Sequence, residues 1–207
     1  MTRWVLAVAL MAGWLAAGTT PPRLLYSKYF KGSVPESVFI TVEKSGQVIY
    51  KEALDDERPL KFALTEAQAG EMFALAETLG HFSRTLESPL KVAQMGVKTF
   101  RWEQDGGATE AKFNFTEDPN ARLLSDWFER MIETQQNYYI LERAVKFDKL
   151  GVNQALLQLQ LTLERKRLLA PEQFLPLLDR IVRNESYMHM ARERAANLAE
   201  TFRKSGP

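Results

Sequence analysis

The chain has 207 residues, with 27 lysines and arginines, 26 aspartates and glutamates, and no cysteine. A net charge near zero gives no general attraction for nucleic acid or for an anionic membrane. The absence of cysteine excludes thiol nucleophiles, thiolate metal sites and disulfides, so the fold must depend on its apolar core.

Residues 1–18 predict an export signal. Arg3 precedes the uncharged apolar stretch Trp4–Ala17, which is shorter than the roughly 20 residues that span a bilayer. The small residues Ala16 and Gly18 precede a predicted cleavage site before Thr19. We therefore expect a periplasmic or secreted mature protein, with an uncleaved N-terminal anchor or a cytoplasmic apolar helix as the alternatives.

The first regular elements predicted after the signal are strands. Alternation of apolar residues predicts a strand over Ser37–Glu43 and another over Gln47–Glu52. The pair Ser45–Gly46 between them is a turn signal, so the two strands form a hairpin. Asp55–Pro59 then predicts a polar loop, and Leu60–Leu64 an extended segment.

A helix and a second hairpin follow. Thr65 and Gln68 have the spacing of a capping box, and Gly80 suits the C-terminal cap of that helix. The second hairpin is predicted over Val92–Glu103 and Ala108–Thr116, around an Asp-Gly-Gly turn.

The rest of the chain has helical periodicity. Asp118 caps a helix that begins at Pro119 and extends to about Lys149. Three further helices are predicted over Asn153–Leu169, Glu172–Arg183 and Glu185–Lys204, with residues 204–207 as a free tail.

The predicted fold class is α+β. Two strand-strand-helix units give a small antiparallel sheet with helices on one face, followed by an all-helical C-terminal extension. The sequence leaves open whether the two hairpins form one sheet. The predicted parts are a signal peptide (1–18), an α+β domain (19–141) with net charge −4, and a three-helix region (142–207) with net charge +4, packed on the first.

The two histidines are the first candidates for a functional site. Glu185, His189 and Glu193 recur every four residues, so on one helix they would form a column able to hold a divalent metal. Zinc sites ordinarily use more than one His or Cys, and a solvated surface column is therefore favoured. His81 follows Gly80 at a helix end, where a loop histidine requires no function. No metal or cofactor site is predicted.

Other catalytic and binding motifs are weak. Ser33 and Ser45 lie in turns and lack the nucleophile-elbow pattern, and the Gly-Gly pair precedes a strand, where a phosphate loop would precede a helix. Lys98 and Arg101 fall on opposite faces of one strand, which argues against a nucleic-acid-binding sheet. The acidic run Asp55–Glu57 lacks the spacing of a calcium-binding loop.

Four segments within residues 26–135 carry a family resemblance. They are Phe30–Pro35 with Ile40–Val42, the Gly46 turn with Val48–Tyr50, the helix start Leu64–Thr65, and the hairpin end Lys112–Phe115. Together they resemble a family of uncharacterised exported bacterial domains. The resemblance implies two hairpins and two helices and no site residues. Members often carry a cysteine beside the Gly-x-x-Pro segment, which this chain lacks.

The favoured function is a non-enzymatic exported module of the bacterial envelope that binds an unidentified protein partner. No catalytic residue is predicted, nor any contact with nucleic acid or with a membrane beyond an uncleaved anchor. One alternative is a carboxylate-based hydrolase acting on envelope material, which would need a deep cleft with two buried acids. The other is a small-ligand carrier, which would need an apolar cavity between the sheet and the helices.

Overall fold

The computed structural model describes residues 20–205, so the predicted signal peptide lies outside the described residues. Within them the chain forms six strands and five α-helices, which confirms the α+β class and the helical C-terminal region. The strands are β1 (Arg23–Tyr29), β2 (Ser37–Glu43), β3 (Gln47–Lys51), β4 (Leu60–Ala63), β5 (Val97–Gln104) and β6 (Gly107–Phe113). The helices are α1 (Glu66–Thr78), α2 (Pro119–Phe147), α3 (Val152–Glu164), α4 (Leu175–Arg183) and α5 (His189–Ser205).

All six strands form one antiparallel sheet in the order β4-β3-β2-β1-β5-β6. The prediction of two strand-strand-helix units is therefore only partly correct, because four strands precede α1. The missed strand is β1, which pairs with β2 on one side and β5 on the other and so joins the two hairpins. The loop between β1 and β2, residues 30–36, is longer than the two-residue turn that identifies a hairpin, so the predicted turn at Ser33 did not reveal the strand before it.

Several strand and helix boundaries in the structure differ from the predicted ones. The second hairpin begins at Val97 rather than Val92. Helix α3 ends at Glu164 rather than Leu169, because Lys166 adopts a left-handed backbone with φ of 57°. Helix α5 begins at His189 rather than Glu185, and it includes Lys204, which was predicted to lie in a free tail.

The helices cover one face of the sheet and form the first hydrophobic core with it. Inward-facing strand residues such as Tyr26 and Phe100 pack against Phe73 of α1 and Phe128 of α2. The rings of Tyr26 and Phe128 are stacked, with centroids 4.4 Å apart. This packing fills the interface between sheet and helices and fixes α2 across the strands.

Helix α2 connects the first core to a second one. Its first half, through Ile132, contributes to the core under the sheet, and Leu141 and Val145 near its end contribute to a core shared with α3, α4 and α5. The predicted division after residue 141 thus falls inside one continuous helix. Leu169, in the link after α3, packs into the first core.

A layer of buried polar side chains separates the two cores on α2. Thr134 Oγ1 accepts a hydrogen bond from the Leu169 backbone N–H at 3.1 Å, and Asn137 Nδ2 donates to Thr162 Oγ1 of α3 at 3.2 Å. Gln135 Nε2 donates to Gln173 Oε1 at 3.0 Å. Because each unpaired buried polar group costs stability, these bonds favour one register of α2 against the chain that packs on it, although Gln135 Oε1 and Asn137 Oδ1 have no hydrogen-bond partner among residues 20–205.

The turn between β2 and β3 requires glycine. Gly46 has φ of 87°, and a Cβ added there would lie 2.5 Å from the backbone oxygen of Leu64. The Leu64 N–H donates to the Gly46 carbonyl at 2.9 Å, which ties the turn to the start of α1. A side chain at this position would therefore separate the hairpin from the helix.

Candidate functional site

The structure does not form the predicted column of Glu185, His189 and Glu193. Glu185 precedes α5, so it does not share a helical face with the other two. His189 Nδ1 lies 3.9 Å from Glu193 Oε2, and their side chains are 90% and 65% exposed. No three His, Asp or Glu side chains within residues 20–205 converge as metal ligands.

The other histidine packs as part of the fold. The His81 ring lies on Trp102 with centroids 4.4 Å apart, and its carbonyl accepts a hydrogen bond from Thr109 Oγ1. The residue has a left-handed backbone with φ of 52°. These contacts hold the segment after α1 against β6 and shield part of that edge strand.

The two serines lie in turns, as predicted. Ser33 Oγ lies 2.7 Å from the carbonyl oxygens of both Phe30 and Pro35, and Ser45 lies in the turn after β2. In the acidic loop, Asp56 Oδ1 accepts the Arg58 N–H at 2.9 Å, which is an ordinary loop contact.

The most concentrated group of charges lies where β1 and β5 meet α2. Lys28 and Lys98 are directly opposite each other on the helix-covered face. Lys28 Nζ donates to both carboxylate oxygens of Glu129 at 2.9 Å, and Tyr26 Oη donates to the same carboxylate at 3.3 Å. Burial, together with the Lys28 charge, lowers the pKa of Lys98, whose Nζ donates to the Asn114 carbonyl at 3.1 Å. Glu129 thus offsets the positive charge of two lysines that the strand register places side by side.

Acidic side chains are not buried in the part of the chain that the structure describes. The buried polar residues there are serine, threonine, glutamine and asparagine. Glu129 and Glu133, one turn apart on α2, come nearest to a carboxylate pair, and their side chains are 32% and 29% exposed. Glu133 accepts from Arg167 Nε at 2.5 Å, so each of the two acids is already paired with a cation.

The face of the sheet that points away from the helices, here the open face, is left uncovered by residues 20–205. Its apolar centre consists of Leu25 of β1, Phe39 of β2 and Ile49 of β3, all partly exposed. The strand register places Thr41 between Leu25 and Ile49, and Lys51 opposite Phe39. Leu54, just after β3, is 74% exposed. Leu25, Phe39, Leu54 and Thr99 line an open depression of about 450 Å³ on this face.

Charges of both signs border this apolar centre. On the β5–β6 side, Arg101 donates to Glu103 at 2.9 Å and to Glu110 at 3.3 Å, and Lys112 pairs with Glu110 at 3.1 Å. Six strands about 4.8 Å apart and four to eight residues long make a face of roughly 24 by 21 Å. That area, about 500 Å², is smaller than the ~800 Å² that one partner contributes to a standard protein interface and corresponds to a small one.

The sequence shows apolar residues on both faces of these strands, but it does not show which face the helices leave open. Leu25, Phe39 and Ile49 occupy the period-two positions that face solvent, where polar residues are usual on a one-sided sheet. Recognising them required knowledge of which face the helices cover.

Comparisons of the chain with protein-family models, with curated proteins and with solved structures gave no match. Among the described helices, none combines the length and the apolar character needed to cross a membrane.

Proposed function

We propose that this protein is an exported, non-enzymatic module of the bacterial envelope that binds a folded protein partner through the open face. The observation that carries the proposal is the apolar centre of that face, formed by Leu25, Phe39, Ile49 and Leu54. Apolar side chains grouped on an exposed surface, with polar and charged residues among and around them, are typical of a protein-binding site.

The charges around the open face favour a protein partner over a polyanion. Arg101 and Lys112 are paired with Glu103 and Glu110, whereas Lys51 beside the depression forms no ion pair among residues 20–205, so the face presents charges of both signs and only one unpaired cation in the lining of the depression. Nucleic acid would need uncompensated cations along one surface. A folded domain with a flat apolar centre and its own mixed rim fits these features.

The hydrolase and carrier alternatives have less support. A carboxylate hydrolase would use Glu129 and Glu133, but Lys28 and Arg167 hold both as ion pairs and neither is buried. A carrier would need space between the sheet and the helices, where the stacked rings of Tyr26 and Phe128 fill the interface.

Export rests on the signal-like composition of residues 1–18. The expected mature protein begins at Thr19. Intact-mass measurement of the protein from the periplasmic or secreted fraction tests this. Retention of Met1 or Thr2 would show that the N-terminal segment is an uncleaved anchor.

Photo-crosslinking tests the open face. A photoreactive amino acid at Phe39 should trap one protein partner, whereas the same residue at Leu123, which is 56% exposed on α2, should not. Ile49→Glu should abolish the adduct by placing a charge in the apolar centre. Gln47→Glu adds the same charge at the end of the same strand and should preserve the adduct.

Adducts that form equally at both positions, or that survive Ile49→Glu, would contradict the proposal. An adduct of two identical chains would make the partner a second copy of this protein. Circular dichroism of each variant confirms that the fold is intact.

A further inference from the structure

The outer edge of the sheet at β6 is a second surface on which another chain can pair. Strand β6 is the last in the order β4-β3-β2-β1-β5-β6, and within residues 20–205 it pairs with β5 alone. Residues 107–110 and Lys112 are exposed. A strand at the edge of a sheet presents a row of N–H and C=O groups to which a further strand can bond.

The two edges of the sheet differ in how they are protected. Strand β4, at the opposite edge, has four residues and follows Pro59, and both its shortness and the proline discourage further pairing. Strand β6 has seven residues and no proline. Its pairing with β5 continues without a bulge from the pair of Gln104 and Gly107 to the pair of Lys98 and Phe113. The β6 edge is therefore regular along its whole length.

The segments nearest to β6 leave its outer side open. The His81 carbonyl accepts a hydrogen bond from Thr109 Oγ1, on the side of the sheet that the helices cover. The Glu87 carboxylate accepts the Asn114 N–H, which lies beyond the end of the strand. Among residues 20–205, no hydrogen bond from these segments reaches the backbone of residues 107–112. A second strand can therefore approach that part of the edge.

The charges of β6 identify the partner strand as another β6. Glu110 and Lys112 are two residues apart and lie on the open face, with Lys112 Nζ 3.1 Å from Glu110 Oε1. If two β6 strands pair antiparallel around Ala111, Glu110 of each copy lies directly opposite Lys112 of the other. Opposite charges in directly opposed positions stabilise a strand pair, and like charges destabilise it. Pairing centred on Glu110 or on Lys112 would instead oppose two glutamates or two lysines.

We infer that β6 pairs with β6 of a second copy of this chain, antiparallel and centred on Ala111, to form one sheet of twelve strands. The two-fold axis of this dimer is perpendicular to the sheet, so both open faces lie on the same side. Together they offer about 1,000 Å², more than the ~800 Å² that one partner contributes to a standard interface. The inference does not depend on the proposed function, because the pairing uses none of the apolar side chains at the centre of the open face.

Exchanging the charges tests both the pairing and its register. Sedimentation velocity of the mature chain should show a dimer. In Glu110→Lys both opposed pairs become two lysines, and in Lys112→Glu both become two glutamates, so each variant alone should raise the dissociation constant of the dimer at least about tenfold. An equimolar mixture of the two variants restores opposite charges at both pairs and should associate as the parent does.

Lys61→Glu is the matched control for these variants. It makes the same change of charge at an exposed lysine of the other edge strand, β4, and should leave association unchanged. Circular dichroism checks the fold of each variant. Mixing also separates a charge effect from misfolding, because two misfolded variants would not regain association when combined.

Introduced cysteines give a second measurement, since the chain contains none of its own. Directly opposed side chains in an antiparallel pair have Cβ atoms about 4.5–5.5 Å apart, whereas diagonal neighbours are about 7–8 Å apart. A mixture of Glu110→Cys and Lys112→Cys should therefore form a disulfide between one copy of each on oxidation. Either variant alone should remain uncrosslinked.

A parent chain that stays monomeric up to about 1 mM would overturn the inference. So would association that neither charge exchange weakens, a mixture that does not restore it, or a disulfide formed by Glu110→Cys alone. Dimers that Ile49→Glu abolishes and both charge exchanges leave intact would move the contact to the open face and also overturn it. A dimer through β6 without any adduct at Phe39 would uphold this inference and contradict the proposed function.

Discussion

Tyr26 is buried beneath α2, with its hydroxyl group against the carboxylate of Glu129. Burial first, and then the Glu129 charge, raises the pKa of this tyrosine well above its usual value near 10. Burial likewise raises the pKa of Tyr50, and it raises that of Tyr139 to about 12. The folded state therefore keeps these phenols protonated under conditions in which the unfolded chain ionises.

The sign of the pH dependence follows from those raised values. The stability that the three buried tyrosines contribute to the folded state is complete below pH ~10. It is lost as pH rises through their folded-state pKa values, because the unfolded chain releases its phenolic protons first. The lowered pKa of Lys98 acts in the opposite sense. Its contribution to stability increases as pH rises and is complete by about pH 10.4, the ordinary pKa of lysine in the unfolded chain.

Replacing Tyr26 with phenylalanine should flatten the alkaline loss of stability. Urea unfolding of Tyr26→Phe and of the parent at about pH 9 and about pH 11 should show a smaller fall in the free energy of unfolding for the variant. Tyr29→Phe is the control, because the Tyr29 side chain is exposed and solvent screens its contact with Glu36. Equal pH dependence in Tyr26→Phe and the parent would contradict the prediction.

Helix α1 shows how local sequence signals determine an element. Thr65 Oγ1 accepts the Gln68 backbone N–H at 3.2 Å, and Gln68 Oε1 accepts the Thr65 N–H at 3.0 Å, which confirms the predicted capping box. Helix α2 begins as predicted for the same reason, because Asp118 Oδ1 accepts the N–H groups of Asn120 and Ala121. These contacts span three residues, so the sequence alone specifies them.

Thr65→Ala should destabilise the protein by about 1 kcal/mol through the loss of this cap. Thr78→Ala, an exposed change at the other end of the same helix, should be neutral or slightly stabilising, because alanine has the higher helix propensity. Urea unfolding of the two variants measures the difference. Equal effects of the two substitutions would contradict the capping argument.

The helix ends in the C-terminal region were less predictable. The apolar periodicity after residue 152 continues past Glu164, but the chain turns there so that Leu169 can enter the first core and donate to Thr134. Residues 185–188 similarly precede the start of α5, and the Tyr187 hydroxyl group donates a hydrogen bond to the Val145 carbonyl of α2 at 3.1 Å. Such ends depend on contacts with α2, which is distant in sequence.

At the scale of the whole molecule, the continuous helix α2 should couple the two cores. Phe174, fully buried in the second core, packs near Tyr138 of α2 and Phe202 of α5. Trp102 and Trp127, the only tryptophans after residue 18, both lie in the first core. Fluorescence therefore reports on the first core, while far-UV circular dichroism reports largely on the helices.

Phe174→Ala should lower stability by about 3–5 kcal/mol, the usual cost of a large cavity. If α2 makes the protein one cooperative unit, the fluorescence and circular dichroism transitions should both move and remain superimposed. Leu161→Ala, at a 43% exposed site on α3, is the control and should change little. A fluorescence transition that stays in place while the circular dichroism transition moves would show that the two cores unfold separately.

The sequence by itself determined the features that depend on neighbouring residues. These are the alternation of β2, β3 and β5, the caps of α1 and α2, and the helical character of the C-terminal region, because periodicity and capping act over a few positions. Only the tertiary structure decided that β1 lies between β2 and β5, that the sheet has an open face, and that β6 forms one of its edges. Those features arise from pairing and packing between segments far apart in the chain, which no local pattern encodes.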